Sequence, residues 1–280
     1  MQSQKKKNME DFSKYNGEGT ILRKAQLRML DMMIAIDKIL RAHHIDYWLE
    51  GGTLLGAIRH KGFIPWDDDV DITVRNEDFL KVRQLLIDEL PKQYIYQDTQ
   101  LDDFEWSGIP RVRDKKSYCH MPLFRQYKEQ GVWVDIFQVE HIYSIKLALF
   151  VGFFYARAFR EIHHFGDVAY KNPIRRYVVK AIAYLIYPFC LLLVGFERLL
   201  AKHNPTGLFS FAFPIKSYKP RYLEDVFPLI EVEFEGHKFF APHNYDRYLT
   251  LLYEDYMQVP PEDQRITHLG QGENAVEFFD

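Results

Sequence analysis

Apolar residues follow two different spacings along this chain. They recur at helical spacing over residues 21–42 and 78–90, which predicts an amphipathic helix in each range. Short apolar runs at residues 47–49 and 132–137 are typical of buried strands. A glycine pair and a short helical run at residues 53–58 follow the first of these strands. Helices and strands that alternate in this way predict an α/β or α+β fold, in which helices flank a mixed sheet.

Residues 141–205 differ in character from the rest of the chain. This stretch is rich in aromatic residues, and between His141 and His203 it carries nine Lys or Arg against three Asp or Glu. Its longest uncharged run, residues 181–196, contains Pro188 and is shorter than the roughly 20 residues that cross a bilayer, so a membrane-spanning helix is not expected. We predict a helical, basic and aromatic insertion. It forms either the core helices of an inserted subdomain or a surface for an anionic membrane or a lipid-linked acceptor.

Three further segments complete the predicted organisation. Residues 1–20 are predicted to be a flexible N-terminal tail, and the lysine run within it lacks the following apolar stretch of a secretory signal. Residues 21–140 form the predicted catalytic core. Residues 206–280 contain a predicted hairpin at residues 230–240 and a predicted helix at residues 245–256. We expect this C-terminal part to pack back on the core.

The composition excludes several classes of protein. Of the 280 residues, 47% are hydrophobic and 27% are charged, which is typical of a globular chain and not of a disordered one. The net charge of −3 provides no general attraction to nucleic acid, so no nucleic-acid partner is expected. Cys119 and Cys190 match no metal-ligand spacing and indicate buried thiols in a reducing compartment. We therefore predict a cytoplasmic protein, with contact at the cytoplasmic face of the inner membrane left open.

Four aspartates crowd the start of one predicted strand. Residues 67–69 and Asp71 are all Asp, and an apolar run follows at residues 72–74. Because side chains alternate along a strand, Asp69 and Asp71 are expected to share a face while Val70 turns to the core. Paired carboxylates suit a hard divalent cation, so we predict that Asp69 and Asp71 bind Mg²⁺ or Mn²⁺.

Asp135 is the candidate for a third acid in the same site. It lies between Val134 and Ile136 in a strand that should be buried, where an unpaired charge is costly. A neighbouring cation would offset that cost. Asp135 is therefore predicted to be a third metal ligand, a general base for an attacking hydroxyl, or both; the alternative is a structural carboxylate held by backbone N–H groups.

Glycines and cations close to the acids suggest a phosphate site. Gly51 and Gly52 allow the backbone to approach a phosphate, and the helix that follows would direct its first N–H groups at that anion. Arg59, Lys61 and Arg111 are candidates for neutralising a pyrophosphate and its leaving group. The alternative for these cations is a role in surface solubility.

Three further residues are weaker candidates for the site. Trp48 and Trp66 could stack on a base or enclose a quaternary ammonium group, although each is more often a core residue. His268 could reach the site from the C-terminal part.

The run from Glu50 to Ile72, EGGTLLGAIRHKGFIPWDDDVDI, closely resembles the motif of LicD-family phosphotransferases. The resemblance covers most of the chain and is thinnest across the central aromatic stretch. It implies a nucleotidyltransferase-like core in which Gly52 and Thr53 hold phosphate and the three acids named above bind Mg²⁺. Family members transfer phosphocholine from CDP-choline to cell-surface sugars, and the similar fukutin-type proteins move other phospho-alditols. One departure is Glu254, at a position after Tyr253 where the family pattern has glycine.

These observations predict a metal-dependent phosphotransferase with a CDP-linked donor, CDP-choline being favoured. The acceptor is predicted to be a sugar hydroxyl of a cell-surface glycan or glycolipid such as lipopolysaccharide. Two alternatives remain at this point. One is a nucleotidyltransferase that releases pyrophosphate, and the other is a non-catalytic relative that acts in cell-surface polysaccharide assembly.

Overall fold

The computed structural model describes residues 11–203, 207–215, 219–265, 267 and 275–279. The helices are α1 (Ser13–Asn16), α2 (Ile21–Ala42), α3 (Gly51–His60), α4 (Phe79–Glu89), α5 (Ile145–Ile162), α6 (Phe165–Ala169), α7 (Pro173–Lys202), α8 (Leu223–Val226) and α9 (Tyr245–Tyr253). The strands are β1 (Tyr47–Leu49), β2 (Asp71–Arg75), β3 (Tyr94–Gln97), β4 (Arg111–Asp114), β5 (Ser117–Cys119), β6 (Trp133–His141), β7 (Leu208–Phe211), β8 (Arg221–Tyr222), β9 (Ile230–Phe234), β10 (His237–Ala241) and β11 (Val276–Phe278). Short 3-10 turns occur at Pro122–Phe124 and Glu262–Gln264.

A mixed sheet of seven strands forms the centre of the molecule. Its main path runs β1-β2-β6-β4-β3, and β7 and β8 extend it beyond the second half of β6. The β2–β6 pair is parallel and places Asp71 opposite Asp135, whereas the other pairs are antiparallel. The predicted mixed α/β (α+β) architecture, with helices around the sheet, is confirmed.

The long strand β6 is paired along its whole length. Its first residues, Trp133–Asp135, pair with β4, and residues 139–141 pair with β7. On its other side β6 pairs with β2 over residues 135–139. Since parallel and antiparallel partners enclose this strand, Asp135 is held in a rigid part of the sheet.

Helix α2 follows the predicted periodicity along its full length. Thr20 caps its N-terminus by accepting a hydrogen bond from the Arg23 N–H at 3.2 Å. The buried face of α2 packs over β4 and β6 and includes Met29, Met33 and Ile36. This packing covers one face of the sheet close to the strand that carries Asp135.

The C-terminal segment packs on the core as an antiparallel hairpin and a helix. Strands β9 and β10 pair around Glu235 and Gly236, and β10 packs beside β1. Helix α9 was predicted to continue to Tyr256 but ends at Tyr253, because Glu254 adopts a left-handed backbone with φ 59°. Helix α9 contacts α3, so the end of α9 lies near the glycine turn.

Residues 11–20 had been predicted to be part of a flexible tail. In the structure they form the short helix α1 and the cap of α2, and the rings of Phe12 and Tyr15 pack against Trp66 at 5.8 and 5.7 Å between centroids. Residues 1–10, which complete the predicted tail, lie outside the described residues.

Helices α5 and α7 pack against each other and form the predicted helical insertion. Helix α7 is one continuous helix of 30 residues that passes through Pro188. The expectation that no helix crosses a membrane was based on the uncharged run at residues 181–196, and the helix that contains this run extends beyond it at both ends. By length and composition alone, and among the described residues, α7 is the one helix that could cross a membrane, and only 17% of its apolar stretch is buried.

Candidate active site

The glycine turn, Gly51 and Gly52, follows β1 and forms the start of α3 beside the acidic loop. Gly51 has φ +51°, a conformation that side chains disfavour, and a Cβ added there would lie 3.4 Å from both Asp71 Oδ2 and the Tyr253 hydroxyl. A Cβ added at Gly52 would lie 2.7 Å from Asp67 Oδ2. The two glycines therefore allow carboxylates to approach the helix N-terminus closely. The sequence had placed them before the helix, and in the structure they are its first two residues.

The four clustered aspartates divide between a loop and a strand. Strand β2 begins at Asp71, so Asp69 belongs to the preceding loop and not to the strand as predicted. Val70 is fully buried between them, as expected from alternation, while Asp69 and Asp71 are partly buried. The Gln26 amide fixes the loop by donating to the Asp67 carbonyl at 2.8 Å, and this bond explains why the chain departs from strand geometry before Asp71.

Carboxylate oxygens of Asp67, Asp68 and Asp69 lie within 4.8 Å of one another. Asp68 is almost fully buried and accepts a hydrogen bond from the Thr267 hydroxyl at 2.7 Å. Asp71 adds a fourth carboxylate. Burial raises the pKa of Asp71 well above its usual value, and the charges of Asp69 and Asp135 raise it further.

Thr53 positions Asp71 from the first turn of α3. Its hydroxyl accepts a hydrogen bond from the Asp71 N–H at 2.9 Å, and the side chain is buried. In the structure Thr53 therefore fixes the start of β2 beside the glycine turn. The phosphate contact that the family resemblance implied for Thr53 remains a prediction.

Asp135 lies opposite Asp71 on the neighbouring strand and is held by two side chains. Its Oδ1 accepts from Arg111 Nε at 2.6 Å, and its Oδ2 accepts from Trp133 Nε1 at 3.1 Å. Each carboxylate oxygen can accept a second interaction, so both oxygens still have capacity for a ligand. The register thus brings Asp71 and Asp135 together from two segments 64 residues apart in sequence.

Arg111 is buried beneath the acids and does not face solvent. Besides Asp135, its guanidinium contacts Glu105 Oε1 at 3.5 Å and donates to the Ser107 hydroxyl at 3.1 Å. Burial would lower the pKa of Arg111, but Asp135 and Glu105 hold it above its usual value. Arg111 therefore fixes Asp135 in this structure, and the predicted contact with a leaving group remains a prediction.

The other two predicted cations lie at the far end of α3. Arg59 donates to the carbonyls of Tyr256 and Gln258 at 2.8 and 3.1 Å and so ties the C-terminal loop to this helix. Burial lowers the pKa of Arg59, while the charges of Asp67 and Tyr253 oppose that shift. Lys61 is exposed at the C-cap, about 15 Å along the helix axis from Gly51. Arg59 therefore lies close enough to Asp67 to feel its charge, whereas Lys61 lies at the exposed end of the helix.

The two tryptophan candidates are core residues in the structure. Trp48 is fully buried and packs against Phe209 and Phe227. Trp66 is 7% exposed and packs among the rings of α1 and beside Arg265, whose guanidinium carbon lies 4.8 Å from the ring centroid. His268 lies outside the described residues.

Glu50 is a site residue that sequence reasoning did not identify. It caps α3, is 1% exposed, and accepts hydrogen bonds from Gly51 N–H at 3.2 Å and Thr73 Oγ1 at 2.9 Å. Arg221 Nη2 donates a hydrogen bond to the Glu50 carboxylate at 3.1 Å, and the Tyr248 hydroxyl donates a second one at 2.6 Å. Burial and the charge of Glu50 raise the pKa of Tyr248, so its phenol stays protonated. An acid at the end of an apolar strand was a usable sequence signal, as it was for Asp135, whereas its partners are about 170 and 200 residues away and gave none.

Tyr253 is a second residue that was missed. Although 43% of the residue is exposed, its hydroxyl points inward, 3.4 Å from the position of a Cβ added at Gly51. Burial raises the pKa of this phenol, and the charges of Glu50 and Asp71 add to the shift. Tyr253 is therefore a protonated hydrogen-bond donor at the edge of the acidic cluster.

The arrangement suits a hard divalent cation. Six acidic side chains from three segments converge here. Burial raises the pKa of Asp71, and the charges of Asp69, Asp135, Asp67 and Glu50 raise it further. Among the described residues the candidate metal ligands at this centre are carboxylates, and such oxygen donors match the preferences of Mg²⁺ and Mn²⁺. A glycine-bounded helix N-terminus next to such a cluster provides a place for phosphate oxygens.

Comparison with known proteins finds a family that matches part of the chain. Residues 44–160, which include the glycine turn and all the acids above, match the family model described as LicD/FKTN/FKRP, nucleotidyltransferase domain. Residues 44–160 are therefore similar to the LicD family, as the sequence motif had indicated, and the relatives that match the chain include phosphotransferases.

Two relatives illustrate the similarity. The chain is 25% identical over 274 residues to the lipopolysaccharide cholinephosphotransferase LicD of Haemophilus influenzae, a match that covers 88% of this chain and 95% of the relative. It is 33% identical over 158 residues to the ribitol 5-phosphate transferase FKRP of Mus musculus, covering 48% of this chain and 30% of that relative. The chain thus spans nearly the whole bacterial relative but only about a third of the murine one.

Proposed function

We propose that this protein transfers a phospho-alcohol, with phosphocholine favoured, from a CDP-linked donor to a sugar hydroxyl of a cell-surface glycan or glycolipid. The observation that carries the proposal is the parallel pairing of Asp71 with Asp135 beside the Gly51–Gly52 turn. Phosphocholine is favoured over ribitol phosphate because the similarity to the cholinephosphotransferase extends over 95% of that relative.

Asp69, Asp71 and Asp135 would hold the metal, with Asp67 and Asp68 adding negative charge beside it. Mg²⁺ or Mn²⁺ bound there would neutralise charge on the pyrophosphate of the donor. Without a cation, these acids would repel the phosphates. The donor can therefore bind only if a cation balances the charge of the carboxylates. The clustering of these acids supports the presence of such a cation site.

The side chains of this chain would position the two reactants. Phosphate oxygens of the donor would accept hydrogen bonds from N–H groups of the first turn of α3, where the Gly51 N–H already donates to Glu50. Asp135, held by Arg111 and Trp133, would accept a hydrogen bond from the attacking sugar hydroxyl and take its proton. Tyr253 would donate its phenolic hydrogen to a phosphate oxygen. Such positioning would supply much of the rate enhancement.

The donor can be tested with a panel of CDP-alcohols. We expect CDP-choline, among CDP-choline, CDP-ethanolamine, CDP-ribitol and CDP-glycerol, to give the fastest Mg²⁺-dependent release of CMP when pooled acceptor oligosaccharides are present, and EDTA to stop the reaction. Release of pyrophosphate from labelled CTP would instead identify a nucleotidyltransferase. Absence of Mg²⁺-dependent nucleotide binding in calorimetry would indicate a non-catalytic relative.

Substitution of the metal-binding acids tests the site itself. Asp69→Asn and Asp71→Asn should each lower CMP release by more than about 100-fold, because one ligand charge is lost where charge neutralisation carries the reaction. Circular dichroism should show an unchanged fold. Asp46→Asn, at an exposed position before β1, is the matched control and should retain full activity. Most of the activity remaining in either site variant would contradict the assignment.

A cytoplasmic location is part of the proposal. In the structure both Cys119 and Cys190 are buried free thiols, which suits a reducing compartment. CDP-linked donors are small soluble molecules, so the reaction would take place where they are made.

A further inference from the structure

The outward surface of α5 and α7, here called the apolar face, is unusually rich in large hydrophobic side chains. Of 24 such side chains that are exposed among the described residues, 15 lie on these two helices. On α7, Ile174 is 73% exposed, Leu185 80% and Leu192 72%. Soluble proteins rarely leave contiguous apolar surface of this extent in water, so the apolar face requires a partner.

The exposed residues of α7 are arranged as in a helix that lies at an interface. Its buried stripe includes Ala183, Cys190 and Val194 and faces α5. At about 100° per residue, Leu185 and Leu192 lie on the opposite side of the helix from this stripe, with no charged residue between them in sequence. The basic residues of α7 lie toward its flanks and ends. An uncharged outer face with cations at its margins is typical of helices in the headgroup region of a bilayer.

The charges around the apolar face are of one sign. Among residues 141–203 the exposed ionised side chains are basic, including Lys146, Lys171 and Lys202. The acids of the same stretch are withdrawn: Glu161 and Glu197 are buried, and Asp167 is paired with His164 and Arg176. This charge distribution complements an anionic surface, and Lys and Arg near such a surface each add to the attraction.

Both ends of α7 are attached to the catalytic domain. At the C-terminal end, Arg198 Nε lies 2.8 Å from Glu140 on β6, and Glu197 accepts from the Tyr143 N–H at 2.7 Å. At the N-terminal end, α7 contacts α6, whose Phe165 packs on Trp106 of the core at 4.9 Å between centroids. A helix that crossed a bilayer would carry its two ends to opposite sides of it. Attachment of both ends to one domain therefore favours a helix parallel to the membrane plane.

We propose that the apolar face of α5 and α7 docks on an anionic phospholipid membrane, with both helices lying in the plane of the interface. Leu185 and Leu192 insert among the acyl chains near the headgroups, and the flanking lysines contact lipid phosphates. The docking does not depend on the transfer reaction and is measured without it.

The helices of the apolar face are connected to Asp135 through a short series of contacts. Phe159 of α5 and Pro214 pack against Gly108, whose N–H donates to Glu105 at 2.9 Å. Glu105 in turn contacts Arg111, the partner of Asp135. If the proposed function is correct, docking would bring the acceptor side of the site to the membrane, where a glycolipid acceptor resides.

Flotation of the full-length protein with lipid vesicles tests the docking. We expect the protein to float with phosphatidylcholine vesicles that contain phosphatidylglycerol, and at least about tenfold less with phosphatidylcholine alone. Leu185→Glu/Leu192→Glu should reduce flotation at least about tenfold, because two carboxylates would enter the apolar layer. Leu80→Glu is the matched control: Leu80 is 73% exposed on α4, and its substitution should leave flotation unchanged.

A second set of measurements separates the alternatives. Lys146→Glu/Lys171→Glu/Lys202→Glu should abolish the preference for anionic vesicles while circular dichroism stays unchanged. Flotation of the Leu185→Glu/Leu192→Glu variant at the wild-type level would overturn the proposal. Protein that only detergent, and neither high salt nor alkaline carbonate, releases from the vesicles would indicate a membrane-spanning helix instead. A dimer in light scattering that the leucine substitutions split, with no flotation of the wild type, would assign the face to a second copy of the chain.

Discussion

Glu50 is the residue on which several distant parts of the molecule depend. It joins the start of α3, Thr73 in β2, Arg221 in β8 and Tyr248 in α9. Arg221 also stacks on the ring of Phe211 at 4.2 Å. Thr73, Arg221 and Tyr248 are buried, and loss of the carboxylate would remove the acceptor that all three share.

Replacement of Glu50 should therefore cost more stability than replacement of any surface acid. We expect Glu50→Ala to lower the free energy of unfolding by about 3 kcal/mol or more, because the buried hydrogen bonds that Arg221, Tyr248 and Thr73 donate to this carboxylate are lost together. Urea denaturation followed by circular dichroism measures this change. Glu224→Ala is the control: Glu224 is also paired with an arginine, but its side chain is 70% exposed, so the loss should be below about 1 kcal/mol. Equal losses in the two variants would refute the role given to Glu50.

Tyr253 offers a test of the site that leaves its charge unchanged. Tyr253→Phe removes only the hydroxyl that lies beside Gly51 and Asp71. A hydrogen bond to a charged group is worth about 1.5–3 kcal/mol, so we expect CMP release to fall by about tenfold or more with little change in the melting temperature. Tyr245→Phe, at the other end of α9, should behave like the wild type. An unimpaired Tyr253→Phe variant would exclude this phenol from donor binding.

At the scale of single residues, the acids that the sequence singled out lie closer together in the structure than the predicted cations do. Asp69, Asp71 and Asp135 stand out because carboxylates beside buried strands are costly without a counter-charge. Arg111 and Lys61 were assigned from proximity in sequence alone, and the structure buries one under Asp135 and leaves the other exposed at the far end of α3. The direction in which a long side chain points depends on its tertiary contacts, and the spacing of residues along the sequence does not predict those contacts.

Helix α9 ends at a residue that is poorly suited to its backbone. Glu254 has φ 59° and ψ −113°, a region that glycine occupies readily and side chains rarely do. The family pattern, which has glycine after the tyrosine, is consistent with this geometry. The end of α9 in turn holds Tyr253 beside the glycine turn, so the backbone at Glu254 affects the edge of the site.

We expect Glu254→Gly to stabilise the protein. Removal of the side chain relieves about 1 kcal/mol of backbone strain, which exceeds the cost of a more flexible unfolded chain. Differential scanning calorimetry should show a higher melting temperature. Asp255→Gly, at the next position and without a positive φ, is the control and should be neutral or destabilising. A lower melting temperature for Glu254→Gly would show that its side chain makes a compensating contact.

Periodicity predicted elements well where one pattern runs without interruption. Helix α2 begins and ends where its apolar spacing does, and the β9–β10 hairpin turns at the expected residues. Helix α7 was harder, since Pro188 and the charged residues near its ends suggested a shorter element. Proline removes one backbone hydrogen bond from a helix, and packing against a neighbouring helix can offset the lost stability. The sequence alone does not reveal that packing.

At the scale of the whole molecule, the class of fold could be predicted from the sequence, but the pairing of β7 with β6 could not. The alternation of helices and strands indicated a mixed sheet. The pairing of β7 with the second half of β6, by contrast, joins segments about 70 residues apart across the entire insertion. No local pattern marks such a pairing, which depends on how the helices between the two strands fold back.

Strand β6 has a mechanical consequence for an enzyme that works on a surface. It carries Asp135 near one end, residues 142–144 connect its other end to α5, and it is paired along its whole length. Six residues separate Asp135 from His141, about 20 Å of extended chain. With no hinge between them, docked protein would keep its reacting carboxylate at a constant height above the lipid. The strand would then fix the distance between Asp135 and the membrane surface. Only sugar hydroxyls at that distance from the lipid part of the acceptor would be modified.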